Sequence, residues 1–420
     1  MSDDSASTAA SNDPKAAIKN VFVLMLENRS FDHMFGLSGI PGIHVANGAS
    51  ANVYQGRTHA FQGGAPNQAP SDPGHEFKDV VEQLCGAGAA YVPGKPYPAT
   101  DNSGFVSNYA TTSTEGKPPP LDSVGTVMRG IDAAAQTPAL YQLATNYVLC
   151  DFWRASLPGP TWPNRYFLHG ASSSGLDDSP TSADLAEWEA VKGFSYANGS
   201  IYDALGSGNY KLYQDDDNPL EPGRIPQVAS LKGISFFDVD NLSHFADDLQ
   251  NGYSYPYTFI EPSYGDVVHN TYEGGSSQHP MDGLSGGDQL IARVYNAIRK
   301  SPVWPNSLLV ILYDEHGGFY DSAPIKAATP PGDGADGKLS KNGFDFSVLG
   351  VRVPAVIVSP WVGKGVVDHT EYDHSSVPAT IGRLFGCGPL TQRDKQARDV
   401  LHLIEGSPRA DSDCPASIGS

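Results

Sequence analysis

Two pairs of adjacent residues, Glu27-Asn28 and Asp314-Glu315, offer three carboxylates and one amide oxygen from positions nearly the whole chain apart. Each pair directly follows six apolar residues, 21–26 in one case and 308–313 in the other. An unbroken apolar run of that length reads as a strand buried on both faces, the kind a parallel sheet uses. In open α/β sheets, ligands bind outside the carboxyl ends of the strands. Both pairs are therefore expected at one edge, as a hard oxygen set for one divalent cation: Mg²⁺, Ca²⁺ or Mn²⁺, with Zn²⁺ as a further option. A single polar pair at a strand end is usually only a turn; the recurrence of the pattern points to a metal.

Thr161 is the candidate nucleophile. Its loop, Pro158-Gly-Pro-Thr161, is sterically constrained, and Pro163 suits the first turn of a helix. Thr161 would then sit at a helix N-terminus, where free backbone N–H groups attract an anion. A cation beside the hydroxyl would lower its pKa and hold phosphoryl oxygens. Without the carboxylates the same residue would read as a helix cap. Arg165, one helical turn on, is a candidate for phosphate oxygens, with a surface ion pair as the alternative. His75, His279 and His374 stand in polar loops beside Gly, Pro or acidic residues. Asp32-His33 are expected to structure their own loop, and His316 is left open because Gly317 and Gly318 suggest a turn.

The elements that must position these groups are legible as alternating apolar strands and helices. Strands are expected at residues 21–26, 147–152, 257–260, 308–313 and 353–359. Helices are expected at 128–146, after Pro160, at 285–300 with Ser285 as cap and Asp288 three residues on, and at 375–385 with Gly386 at the end. The fold class this implies is α/β, with a doubly wound, largely parallel central sheet flanked by helices. Residues 1–17 read as a disordered tail and 18–405 as a single domain. Residues 38–125 form a loop-rich insertion, and 406–420 a C-terminal tail.

Composition narrows the partners. A net charge of −20 in 420 residues argues against nucleic acid, whose phosphates need clustered Lys and Arg. It also argues against strongly anionic membranes, leaving at most peripheral membrane contact. No apolar run reaches the length of a membrane span. The N-terminal segment lacks the basic and apolar regions of a secretory signal; a cytoplasmic protein is expected unless a signal was removed, in which case a secreted or periplasmic one. Four cysteines form no metal pattern: Cys150 reads as a buried thiol, and a Cys387–Cys414 pair is left open.

The residues 27–36, Glu-Asn-Arg-Ser-Phe-Asp-His-Met-Phe-Gly, resemble the opening motif of the bacterial and plant phospholipase C and acid phosphatase family of phosphoesterases. Residues 158–165, Gln278-His279-Pro280, 304–321, 350–354 and Tyr372-Asp-His374 are similar to its later motifs, in the same order. The resemblance implies an alkaline-phosphatase-like core. It implies a metal held by Glu27, Asn28, Asp314 and Glu315, with Thr161 as nucleophile and metal neighbour. It further implies that His75 and His279 bind the phosphoryl group or protonate the leaving group, with weaker matches placing Arg165 and His374 against substrate. Some family members carry Ser where this chain has Thr161; both are hydroxyls.

The expected reaction is in-line attack by Thr161 on phosphorus, protonation of the leaving alcohol by His279 or His75, and hydrolysis of a phosphothreonine. The expected substrate is a phospholipid, phosphatidylcholine-type, or a small phosphoester. An acid phosphatase acting on monoesters is the rival reading, and a catalytically dead metal-stabilised binding protein the non-enzyme one. The Thr-x-Pro-x-Arg spacing at 161–165 resembles a sulfatase motif, but Thr cannot yield the aldehyde that sulfatases need. Trp153, Trp162, Tyr166, Tyr253, Tyr255 and Tyr257 are either core or a cation–π cage for choline.

Overall fold

The computed structural model describes residues 14–216, 224–269, 271–335 and 337–419. The first 13 residues of the expected tail lie outside these, and Pro14–Ala17 form a 3-10 turn. The chain is organised on an eight-stranded mixed sheet. Its strands are β1 (Asn20–Leu26), β2 (Val148–Cys150), β3 (Tyr210–Gln214), β4 (Val239–Asn241), β5 (Tyr257–Glu261), β6 (Ser307–Tyr313), β7 (Ala355–Val358) and β8 (Val366–Asp368). They lie in the order β8-β2-β7-β6-β1-β5-β3-β4. Every pairing is parallel except those of β7, which runs antiparallel to both β6 and β2.

Every residue of β1 and β6 is buried, as unbroken apolar runs require in a sheet covered on both faces. Helices α2 (Phe77–Cys85) and α3 (Phe105–Thr111) pack within the insertion, while α1 (Phe31–Phe35), α4 (Pro138–Asn146), α5 (Thr161–Gly170), α6 (Leu284–Arg299) and α7 (Ser376–Phe385) bury apolar residues in the core around the sheet. The last ends as expected, with Gly386 in the left-handed conformation.

Two local expectations are corrected. The helix expected over 128–146 is broken: Ala133–Gln136 and α4 are separate, because Pro138 has no N–H to continue the ladder. Helix α6 starts at Leu284 with no side-chain cap. Asp288 caps a different helix instead, accepting from Ala139 N (2.9 Å) and Leu140 N (3.0 Å) at the start of α4. The insertion over 38–125 contains α2, α3 and a hairpin (Ala51–Tyr54, Arg57–Ala60) around its own apolar cluster, with Val80, Leu84, Phe105 and Tyr109 at its centre. Residues 409–418 pack on α6 and the sheet: Tyr295 and Asn296 reach Pro415 O and Ile418 O, and Cys414 and Ile418 are buried. All four cysteines are free thiols, Cys150 among the buried.

Candidate active site

Strand register sets the site. Leu26 of β1 stands opposite Tyr313 of β6, so Glu27-Asn28 and Asp314-Glu315 leave the sheet side by side at its carboxyl edge. Asp314 N donates to Leu26 O (3.2 Å), and Arg29 N to Glu315 O (3.0 Å), stitching the two turns together. Asn28 adopts a left-handed conformation (φ 57°), which Asn tolerates better than most residues. Its backbone N donates to Asp314 Oδ1 (2.9 Å). Gly317 packs so close that a Cβ there would stand 2.1 Å from Asn28 O; this is a place where only glycine fits.

Thr161 is the first residue of α5, and the N-cap is Pro160, which offers no capping side chain. The threonine hydroxyl is therefore free of the capping role, and donates instead to Asn28 Oδ1 (3.3 Å). Asn164, whose importance the sequence did not disclose, locks the loop. Its amide donates to Gly159 O (2.9 Å) and Pro160 O (3.0 Å), and its oxygen accepts from Leu157 N (3.1 Å). Replacing Asn164 by Ala should lower kcat about 100-fold with little change in KM, because a nucleophile displaced by about 1 Å loses that much. Steady-state kinetics will check this.

A cleft of about 640 Å³ opens here, with Glu27, His75, Glu115, Thr161 and His279 among its polar lining residues and Trp162, Leu185 and Val268 among its apolar ones. That volume suits a small ligand or part of a larger one. His75 donates from Nδ1 to Pro73 O (2.9 Å), which turns its Nε2 toward Asn28 Nδ2 (3.4 Å) and Glu115 Oε1 (3.9 Å). His279 accepts from Met281 N at Nδ1 (3.3 Å), so its proton sits on Nε2, 3.6 Å from Asp72 Oδ2. Its ring is fixed flat on Tyr272, centroids 3.5 Å apart.

Burial lifts the carboxyls of Glu27 and Glu315 to about 8, opposed by Arg165 at Glu27 and by His75 at Glu315. Burial also lifts Asp72 to about 8. At His75 burial lowers the pKa, but Glu115, Glu315 and Asp72 outweigh it and hold the imidazole well above its ordinary value. At His279 burial, then His75 and Arg29, hold it well below.

Whether these residues suit a cation is decided by oxygens left without partners. Glu27 Oε2 and Glu315 Oε1 are buried and have no hydrogen-bond partner among the described residues; so are Asp72 Oδ1 and Glu115 Oε1. Buried acceptors are almost always satisfied, and a buried unpaired carboxylate is costly. The orphaned oxygens of Glu27 and Glu315, on the two turns that also carry Asn28 and Asp314, are the hard donors that a divalent metal takes. Asp72 and Glu115 come from loops of the insertion and were not picked out from sequence, although Asp72 lies three residues before His75.

Two residues expected against substrate lie elsewhere. Arg165 is fully buried behind the carboxylates. It donates to Asp314 Oδ2 (3.0 Å), Tyr264 OH (3.0 Å) and Leu26 O (3.3 Å), and lies 3.7 Å from both Glu27 and Glu261. Its donors are committed to holding the acidic cluster together, so no face of it meets the cleft. His374 is likewise buried: Trp153 Nε1 donates to its Nδ1 (3.2 Å), which leaves the Nε2 proton to Asp314 O (2.6 Å). Both position Asp314. Removing the charge with Arg165→Met should destabilise the metal-free protein by about 3–5 kcal/mol, the usual cost of orphaning a buried charge. Chemical denaturation in chelator will measure it.

His33 and Asp32 structure their loop as expected: His33 Nδ1 donates to Arg129 O (2.8 Å), and Asp32 accepts from Ala46 N and Ser322 N. His316 bonds to Gln83 Oε1 (2.7 Å) behind the site. Of the six aromatics expected as core or cage, Trp162 lines the cleft, Trp153, Tyr166 and Tyr257 are core, and Tyr253 and Tyr255 are half-buried against each other outside its lining; Tyr264 and Tyr272 line the cleft instead.

Comparison with known proteins places the chain in a family. The model of the phosphoesterase family matches residues 18–388. Non-specific phospholipase C6 of Arabidopsis thaliana is 33% identical over 96% of this chain and 75% of its own length. Hemolytic phospholipase C of Pseudomonas aeruginosa is 24% identical over 88% of this chain, which spans about half (53%) of that protein. Among solved structures, a Vibrio parahaemolyticus protein in the alkaline phosphatase superfamily covers 66% of each chain at 15% identity, with a TM-score of 0.37, too low to carry the assignment. From the family match and the plant relatives, the chain belongs to the phosphoesterase family, hydrolases that act on phosphoric ester bonds.

Proposed function

We propose that this hydrolase is a phospholipase C-type phosphodiesterase that forms a covalent adduct on Thr161. The observation that carries the reading is the Thr161 hydroxyl, uncapped at the start of α5 and bonded to Asn28 Oδ1 beside partnerless carboxylate oxygens. The backbone N–H groups of the first turn of α5 receive the phosphoryl oxygens. Thr161 Oγ1, its proton released to solvent, attacks phosphorus in line; the Oγ1–P bond forms, the P–O bond to the alcohol breaks, and the threonine takes a proton back from solvent when water later displaces it. The histidines divide the remaining work according to their hydrogen bonds. His75, with Nδ1 held by Pro73 O, exchanges a proton through Nε2: it protonates the leaving oxygen, then accepts a proton from the water that opens the adduct. His279, its proton fixed on Nε2, donates a hydrogen bond to a phosphoryl oxygen. A divalent cation held by Glu27, Asn28, Asp314 and Glu315 with Thr161 would lower the hydroxyl pKa and offset the phosphoryl charge.

Apolar residues in the cleft lining, Trp162, Leu185 and Val268, support a diester with a large apolar substituent, and the plant relatives are named as phospholipases C. A substrate panel with and without chelator tests the reading: phosphatidylcholine, other phospholipids, and aryl phosphate mono- and diesters. Chelator-sensitive hydrolysis of phospholipids and of the aryl diester is expected. Hydrolysis of monoesters alone would overturn the phospholipase reading in favour of a phosphatase.

A further inference from the structure

A second cluster of ligand-type side chains lies away from the cleft. Asp151 directly follows β2, and His369 directly follows β8. These strands pair in parallel with Asp368 opposite Cys150, so both residues leave the sheet at the same edge. His44 reaches them from the loop between α1 and the hairpin. Asp151 is completely buried, while the side chains of His44 and His369 are 60% and 48% exposed. Both imidazoles aim Nδ1 at this one carboxylate: His44 at 2.8 Å from Oδ2, His369 at 2.9 Å from Oδ1. The three ligand atoms lie within 4.8 Å of one another. Strand β2 stands two places from β6 in the sheet, about 10 Å at ordinary strand spacing, so the cluster shares no residue with the catalytic set.

The cluster is held in place from behind. His44 N also donates to Asp151 Oδ2 (2.9 Å), and Arg352 donates to both His44 O (2.7 Å) and Asp151 O (2.9 Å). Asp151 N donates to Asp368 O (3.1 Å). The loop bearing His44 is thus tied at backbone level, and the two imidazoles lie on the outer, half-exposed side of the cluster.

We propose that His44, Asp151 and His369 form a second, transition-metal site that clasps the loop around residue 44 to the sheet edge. Two imidazole nitrogens and one carboxylate oxygen are the donor set of Zn²⁺ or a similar borderline cation, with a fourth position open to water. One carboxylate does not satisfy Ca²⁺ or Mg²⁺, which take many oxygens. On binding, each imidazole carries its proton on Nε2, which frees Nδ1 to face the ion in place of its hydrogen bond to Asp151. Around a tetrahedral Zn²⁺ with bonds of about 2.0–2.1 Å, ligand atoms stand about 3.3 Å apart. The observed 2.8 and 2.9 Å must open by a few tenths of an ångström, a swing that two exposed rings allow. The clasp does not depend on the reaction proposed above.

The test uses the full chain, stripped with chelator and titrated with ZnCl₂ alone, reading stoichiometry by equilibrium dialysis and the melting temperature alongside. Variants are His44→Ala, His369→Ala and, as a control that alters the catalytic centre, Glu315→Gln. Both histidine side chains are exposed, so the fold should tolerate either change, and the two histidine variants, unlike Glu315→Gln, should keep their phosphoesterase activity. One zinc equivalent and its upward shift in melting temperature should persist in Glu315→Gln. That equivalent should weaken at least about tenfold in each histidine variant. Zinc stoichiometry and affinity unchanged in His44→Ala and His369→Ala would overturn the site, whatever the substrate panel shows.

Discussion

Thr161→Ala should lower turnover by at least about 10⁴-fold, the scale seen when a nucleophile is removed and only binding and electrostatics remain. The fold should be untouched. The hydroxyl makes one hydrogen bond, 3.3 Å to Asn28, and caps nothing, so its loss costs at most about 1 kcal/mol. Thr161→Ser restores an attacking hydroxyl at the same helix start and should return activity to within about tenfold of the parent. Circular dichroism and melting curves should overlay for all three proteins while kcat separates them. Alanine activity within tenfold of wild type would leave the threonine as a bystander.

Glu315→Gln should produce a crossing pattern. In the metal-free protein, Glu315 Oε1 is buried with no hydrogen-bond partner among the described residues, and burial, with Asp314 beside it, lifts the carboxyl pKa to about 8. An isosteric amide removes that penalty, while its oxygen still accepts from Gly317 N (2.7 Å in the parent). The variant should therefore be more stable than wild type in chelator, by roughly 1–3 kcal/mol. With a saturating divalent cation the order should reverse, because the wild type gains binding free energy that the amide cannot match. Activity should fall at least about 10³-fold. Denaturation curves in chelator and in excess Mn²⁺ or Ca²⁺ will show the crossing. A variant less stable than wild type in both conditions would mean the carboxylate is structural and not a ligand.

The site was legible in sequence where a polar residue interrupts or follows a strong local pattern. Glu27 and Asp314 stand out because each ends six buried apolar residues, and the parallel register of β1 and β6 then places them together without further information. Thr161 was legible through Pro163, which marks a helix start. Asp72 and Glu115 were not, because they arrive on aperiodic loops whose path depends on the insertion's own apolar cluster around α2 and α3. Arg165 and His374 show a different limit. Their types fit phosphate binding, but helix phase and burial turn Arg165 behind the carboxylates, and the indole of Trp153 fixes the tautomer of His374 toward a backbone carbonyl. Asp288 misled for a similar reason: its spacing matched a cap on its own helix, whereas packing gave it the N-terminus of α4. The antiparallel direction of β7 left no trace either, since a fully buried strand reads the same in both directions.

The most direct test of the account is to catch the bond at Thr161. Turnover of an aryl phosphate diester should be quenched in acid within the first cycle, the protein digested, and the peptide spanning residues 155–170 fragmented by mass spectrometry. The account predicts that Thr161 carries the phosphoryl group with its remaining ester substituent, and that the adduct is absent without substrate and in Thr161→Ala. An unmodified Thr161 under burst conditions, or an adduct on any other side chain, would contradict it.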